Sequence, residues 1–152
     1  MPIPAANPPP VVAPLVAADV ARGYGQAQAC KAVLDPLDLT LCMDTVMAGQ
    51  DAAAKANPSV LLGVAIGMFG LSDRIAAMLA AAPQTPQVRQ NQQVSRDVTL
   101  AATIAIDREA KALDLTEVQL VQAIRDVAGG TDRWGYWIAQ PKPDWLARQA
   151  GG

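Results

Sequence analysis

The chain has 152 residues, a net charge of −2 and no histidine. One domain is expected at this length, with about 70% of the unfolded surface available for burial. The missing histidine removes the commonest general base and the commonest zinc ligand. The absence of any Lys/Arg run argues against nucleic acid as a partner.

Charged residues make up 17% of the chain, against about 25% in typical soluble domains. Alanine supplies 30 positions, so the apolar share of 51% overstates how much bulky core there is. A surface this poor in charge suits a subunit covered by neighbours.

Residues 1–12 read as an extended arm. Five of the first ten residues are proline, a density that favours polyproline II and excludes regular helix. Ile3, Val11 and Val12 give the arm apolar contacts and make it a candidate for lying across a neighbouring subunit. The opening MPIPAANPPP has no charged and apolar leader pattern, so no secretory signal is expected.

From Ala13 to Leu34 the spacing is helical, through Leu15, Val16, Val20, Tyr24, Ala27 and Cys30. Gly23 and Gly25 predict a kink or two shorter helices. Asp35-Pro36 is a turn signal. A second helix is expected from about Pro36 to about Ala56. Leu37, Leu41, Asp44, Thr45, Ala48 and Ala52 mark one side, and Leu39, Cys42, Met43, Val46 and Met47 supply the bulk. Asp44 and Asp51 fall seven apart on that helix and read as a solvated face rather than a cation site. Cys30 and Cys42 are too few for a closed zinc site. They are candidates for a disulfide, with two thiols in separate helices as the alternative.

Asn57 to Pro83 is the longest apolar run. Asn57 suits an N-cap, Pro58 the first helical position, and Pro83 a stop. Ser59, Gly63 and Gly67 recur every four residues and form one small-residue face for close helix packing. A break near Gly67–Gly70 is the other reading of these glycines. Membrane insertion is the less favoured reading, because the uncharged stretch Val60–Leu71 is short of the roughly 20 residues a span needs.

Thr85-Pro86 starts a long helix, expected from Gln87 to Leu113. Its first third is polar. Val94, Val98, Ala101, Ala105 and Ala112 form one stripe, and Leu100 with Ile104 a second. Thr116 and Gln119 fit a capping box that opens a short helix. Val118, Val121, Ile124 and Ala128 mark its apolar side, and Gly129-Gly130 stops it.

Residues 131–152 change character. All three tryptophans, Trp134, Trp137 and Trp145, lie here with Tyr136. Such aromatics commonly anchor interfaces; pinning of the segment onto its own helices is the alternative.

Gly63, Gly67 and Gly70 lack the strand–loop setting of a nucleotide-binding motif. A serine–histidine triad is impossible. The only glutamates are Glu109 and Glu117. Asp107 and Glu109 would diverge by about 200° on a helix, which does not suit a paired-carboxylate site.

These features predict an all-α protein, a compact bundle of about five or six helices. It spans an arm over 1–12, a helical domain over 13–130 and an aromatic segment over 131–152. The favoured function is a non-enzymatic structural subunit of a larger assembly, in a virion or a bacterial envelope complex. Its partners would be copies of itself or other proteins, with no cofactor, metal or nucleic acid. The alternatives are a membrane-associated protein using residues 57–83, and a small ligand-binding domain or hydrolase using Asp and Glu.

Overall fold

The computed structural model describes residues 13–129. Among them are six α-helices and no strand. They are α1 (Ala17–Ala27), α2 (Pro36–Ala48), α3 (Ala52–Lys55), α4 (Pro58–Ala81), α5 (Pro86–Ala112) and α6 (Glu117–Ala128), with a 3₁₀ turn at Gln28–Cys30. The fold is an all-α bundle, with α4 as its central element.

Three helices begin with the same two-residue device, a polar N-cap followed by proline. Asp35 accepts from the N–H groups of Leu37 and Asp38 at 2.9 and 3.1 Å. Asn57 accepts from Ser59 and Val60 at 3.0 and 3.3 Å, and Thr85 accepts from Val88 at 3.1 Å. In each case proline fills the first helical position, where no N–H is needed. The helix α6 starts with a full capping box between Thr116 and Gln119. It ends at Gly129, whose φ of 77° is a left-handed conformation that favours glycine.

The α1–α4 contact is made by backbone meeting backbone. A Cβ on Gly23 would overlap the Val60 carbonyl, and one on Gly63 would overlap the Val20 carbonyl. A Cβ on Gly67 would lie 2.5 Å from the Ala27 Cβ. Val20 pairs with Gly63 and Ala27 with Gly67, so the two helices run parallel. Their N-termini are tied together: the Val16 N–H donates to Ser59 Oγ at 3.0 Å, and Asn57 Nδ2 donates to Asp19 Oδ2 at 3.1 Å. A parallel pair needs a return path, which α2 and α3 provide.

The opposite side of α4 packs against α5, which returns antiparallel after the short Ala82–Thr85 connection. Two apolar clusters result, and α4 contributes to both. Leu62, Ile66 and Phe69 pack with Ala102, Ile106, Leu120 and Ile124. Val64, Leu71 and Ile75 pack with Leu39, Met43 and Val98. Each fully buried Leu or Ile contributes about 1.5–3 kcal/mol relative to exposure.

Several expectations need correction. The helix from Pro36 does not reach Ala56. It stops at Ala48, and α3 starts afresh after Asp51, whose carboxylate accepts the Ala54 N–H at 2.7 Å. Between them Gln50 is buried, its Nε2 donating to Gln26 Oε1 at 2.7 Å. Asp44 therefore sits within α2, whereas Asp51 caps α3. The chain does not kink at Gly23: α1 is continuous from Ala17 to Ala27, and Gly23 is a packing position. Nor does α4 break at Gly67–Gly70.

The buried stripe of α5 is Ser95, Val98, Ala102, Ile106, Glu109 and Ala110. Ala101 and Ala112, read on one stripe with Val98, are exposed. In α6 the buried side is Leu120, Ala123 and Ile124, and Val118 is exposed. Alanine and valine at several spacings make more than one stripe plausible from sequence, and packing selects one.

Gly63→Val should destabilise the protein by about 3 kcal/mol, the upper range for overpacking a filled site. Gly25 faces open space, so Gly25→Ala should stabilise by about 0.5–1 kcal/mol through helix propensity. Urea denaturation of both variants checks the contrast.

Candidate functional site

The sequence offers two cysteines, few carboxylates and several apolar side chains as possible functional groups. The cysteines form a disulfide, with the Cα atoms of Cys30 and Cys42 5.9 Å apart. Cys30 ends the 3₁₀ turn and is fully buried among Ala27, Leu39 and Met43. Cys42 lies in the middle of α2. The bond thus fastens α2 to the C-terminal end of α1. This removes the two-thiol alternative.

Several polar groups of the interior hold helices together. Ser72 and Thr99 share a hydrogen bond of 2.6 Å between α4 and α5, and Ser72 Oγ also reaches the Ser95 carbonyl at 3.4 Å. Thr99 and Thr103 donate to carbonyls one turn back, at 2.9 Å each. These bonds let α5 present Thr99 and Thr103 without stranding their donors, whereas the buried Ser95 hydroxyl has no hydrogen-bond partner among the described residues.

Glu109 is the one charged residue buried among those described. Its carboxylate accepts from Arg108 Nε at 3.0 Å, while the Arg108 side chain remains largely exposed. Asp107 pairs with Lys111 at 3.5 Å. Among the described residues no group of three His, Cys, Asp or Glu side chains is placed to hold a metal ion.

Among the described residues, two clefts stand out. The first, of about 180 Å³, lies between α6 and the start of α1 with its lead-in, with Leu15, Val20, Ala123 and Val127 in its walls. The second, of about 160 Å³, lies between α2, α4 and α5. Met43, Met47 and Met68 line it, with Asp44 and Arg108 among its polar residues. Neither cleft is lined by Asp107 or Glu109 among its described residues. The methionine lining makes the second cleft adaptable in shape.

The more distinctive feature is what the helices turn outward. Leu37 and Leu41 lie one turn apart on the outer face of α2, and with Leu34 just before that helix each is 58% exposed. Leu100 and Ile104 lie one turn apart on α5, opposite its buried stripe, at 58% and 55% exposure. Single exposed leucines are ordinary, and it is contiguous apolar patches that mark interaction surfaces. The expectation that Leu37 and Leu41 share a face distinct from Leu39 and Met43 matches the structure, but it did not say which face was outside.

The small-residue face of Ser59, Gly63 and Gly67 is fully buried, and α1 is the helix against it. Ser59 also accepts the hydrogen bond that anchors the lead-in to α1. The partner positions Gly23 and Ala27 were missed, although Gly23-x-x-x-Ala27 repeats the spacing of Gly63-x-x-x-Gly67. The arm residues Ile3, Val11 and Val12, and the aromatic residues Trp134, Tyr136, Trp137 and Trp145, lie outside the described residues.

By length and composition α4 could cross a membrane, and 61% of its most apolar 18-residue window is buried inside the bundle. No family model matches the chain, and no curated protein or solved structure matches it.

Breaking the disulfide should cost about 3 kcal/mol, as expected for a loop of this size. Guanidinium denaturation with and without reductant measures it, and the Cys30→Ala/Cys42→Ala variant should reproduce the reduced value.

Proposed function

We propose that this chain is a non-enzymatic subunit of a larger protein assembly. The observation that carries this reading is the pair of outward apolar faces, Leu37 with Leu41 on α2 and Leu100 with Ile104 on α5. The bundle is already filled by other residues from the same helices, so these four side chains are not needed for its core. Burying one such leucine against a neighbour is favourable by about 1.5–3 kcal/mol, so two pairs supply a useful part of an interface.

The internal polar chemistry supports the same reading. Ser72, Ser95 and Thr99 serve helix packing, and Glu109 is neutralised by its neighbour Arg108. The disulfide suits an oxidising compartment or a particle surface, which favours a bacterial envelope complex or a virion over the free cytoplasm. Membrane insertion of α4 is the weaker reading, since it would require the central helix to leave both apolar clusters.

Light scattering on the full chain tests the proposal. The wild type should exceed the monomer mass at micromolar concentration and above. Leu37→Asp/Leu41→Asp or Leu100→Asp/Ile104→Asp should reduce the mass towards the monomer with the thermal melt unchanged. A wild type that stays monomeric at high concentration contradicts self-assembly through these faces.

A further inference from the structure

We propose that the apolar cleft between the lead-in to α1 and helix α6 is the seat of the chain's own C-terminal segment, with the Trp134 indole filling it. The cleft measures about 180 Å³, which suits one bulky side chain. Leu15, Val20, Ala123 and Val127 make its walls apolar, and Gln122 and Asp126 stand at its polar side.

The end of the described chain points to the occupant. Gly129 adopts φ 77° and its N–H donates to the Arg125 carbonyl at 2.9 Å, a left-handed cap that turns the chain away from the helix axis. A second glycine, Gly130, follows at once. The cleft begins beside this point, at Asp126 and Val127, and extends back along α6 to Gln119. The helix from Gln119 to Val127 covers about 12 Å. Five extended residues from Gly129 to Trp134 cover about 16 Å, enough to reach any part of the cleft.

The chemistry of the segment also matches. An indole has a large apolar body and one N–H that seeks an acceptor when buried. The Gln122 amide oxygen supplies an acceptor of that kind. Arg133, immediately before Trp134, brings a positive charge to the side of the cleft that holds Asp126. The proline-rich residues 1–12 precede the same lead-in, but polyproline segments dock on aromatic walls, and none of the described residues lining this cleft is aromatic. With the tail on its own bundle, the outward faces of α2 and α5 are left for neighbours.

Tryptophan fluorescence isolates the question, because all three tryptophans lie in residues 131–152. The full chain carrying Trp137→Phe and Trp145→Phe retains Trp134 alone. Acrylamide should quench it several-fold less than N-acetyl-tryptophanamide, and dilution should not change this. Leu15→Asp, or Ala17→Asp as a second variant, should raise quenching to the free value while the circular-dichroism melt holds. Quenching equal to free tryptophan in the parent overturns the proposal. Protection lost on dilution would place a second copy's segment in the cleft and overturn the same-chain assignment. Protection unaffected by both cleft variants would place Trp134 elsewhere and overturn it as well.

Discussion

The contact on which the fold depends is the approach of α1 to α4 at Gly23, Gly63 and Gly67. Backbone meets backbone there, and a Cβ at either Gly23 or Gly63 would overlap a carbonyl of the other helix. Glycine costs about 1 kcal/mol of helix propensity against alanine at each position. The close approach offsets this cost. It lets the larger side chains on either side, Val20, Val60 and Val64 among them, become buried. The hydrogen bonds from Val16 to Ser59 and from Asn57 to Asp19 set the register. Everything else in the bundle is arranged around the helix so positioned.

The remaining elements follow from that parallel pair. Two parallel helices require the chain to travel back between them, and α2 and α3 make the return. Their hold on the core is modest: only Pro36, Leu39 and Met43 of α2 are buried, and the Cys30–Cys42 bond supplements them. The same sparseness leaves Leu37 and Leu41 facing outward. On the other side α5 closes the core through a stripe that mixes alanine, serine and Glu109 with Val98 and Ile106. Close packing of small residues explains why a 27-residue helix of low overall hydropathy still belongs to the core, and why Leu100 and Ile104 are surplus to it.

Sequence and structure agree where local chemistry decides the outcome. Asn57-Pro58 and Pro83 bounded α4, and Thr85-Pro86 and the Thr116–Gln119 box placed the starts of α5 and α6. Disagreement arises where distant residues decide. The stop after Ala48 depends partly on Gln50 finding Gln26, which is not visible in the local pattern. The α5 stripe includes Glu109, a charged residue whose burial becomes intelligible only with Arg108 beside it, and Ser95, whose carbonyl accepts from Ser72 while its own hydroxyl is left without a partner among the described residues. Gly23 was read as a weakness in its own helix, although its true role is set by Val60. Of the candidate surfaces, the small-residue face could be located from Ser59, Gly63 and Gly67. Which leucines point outward could not, because Leu37 and Leu39 look equally apolar.

The central claim is that α1 and α4 form one cooperative unit joined through their backbones. Native-state hydrogen exchange measures this directly. The amides of Val20–Ala27 and Val60–Gly67 should exchange with the same free energy, equal to that of global unfolding and the largest in the protein. If α1 exchanges at a distinctly lower free energy while α4 stays protected, the contact does not organise the fold and the account is wrong.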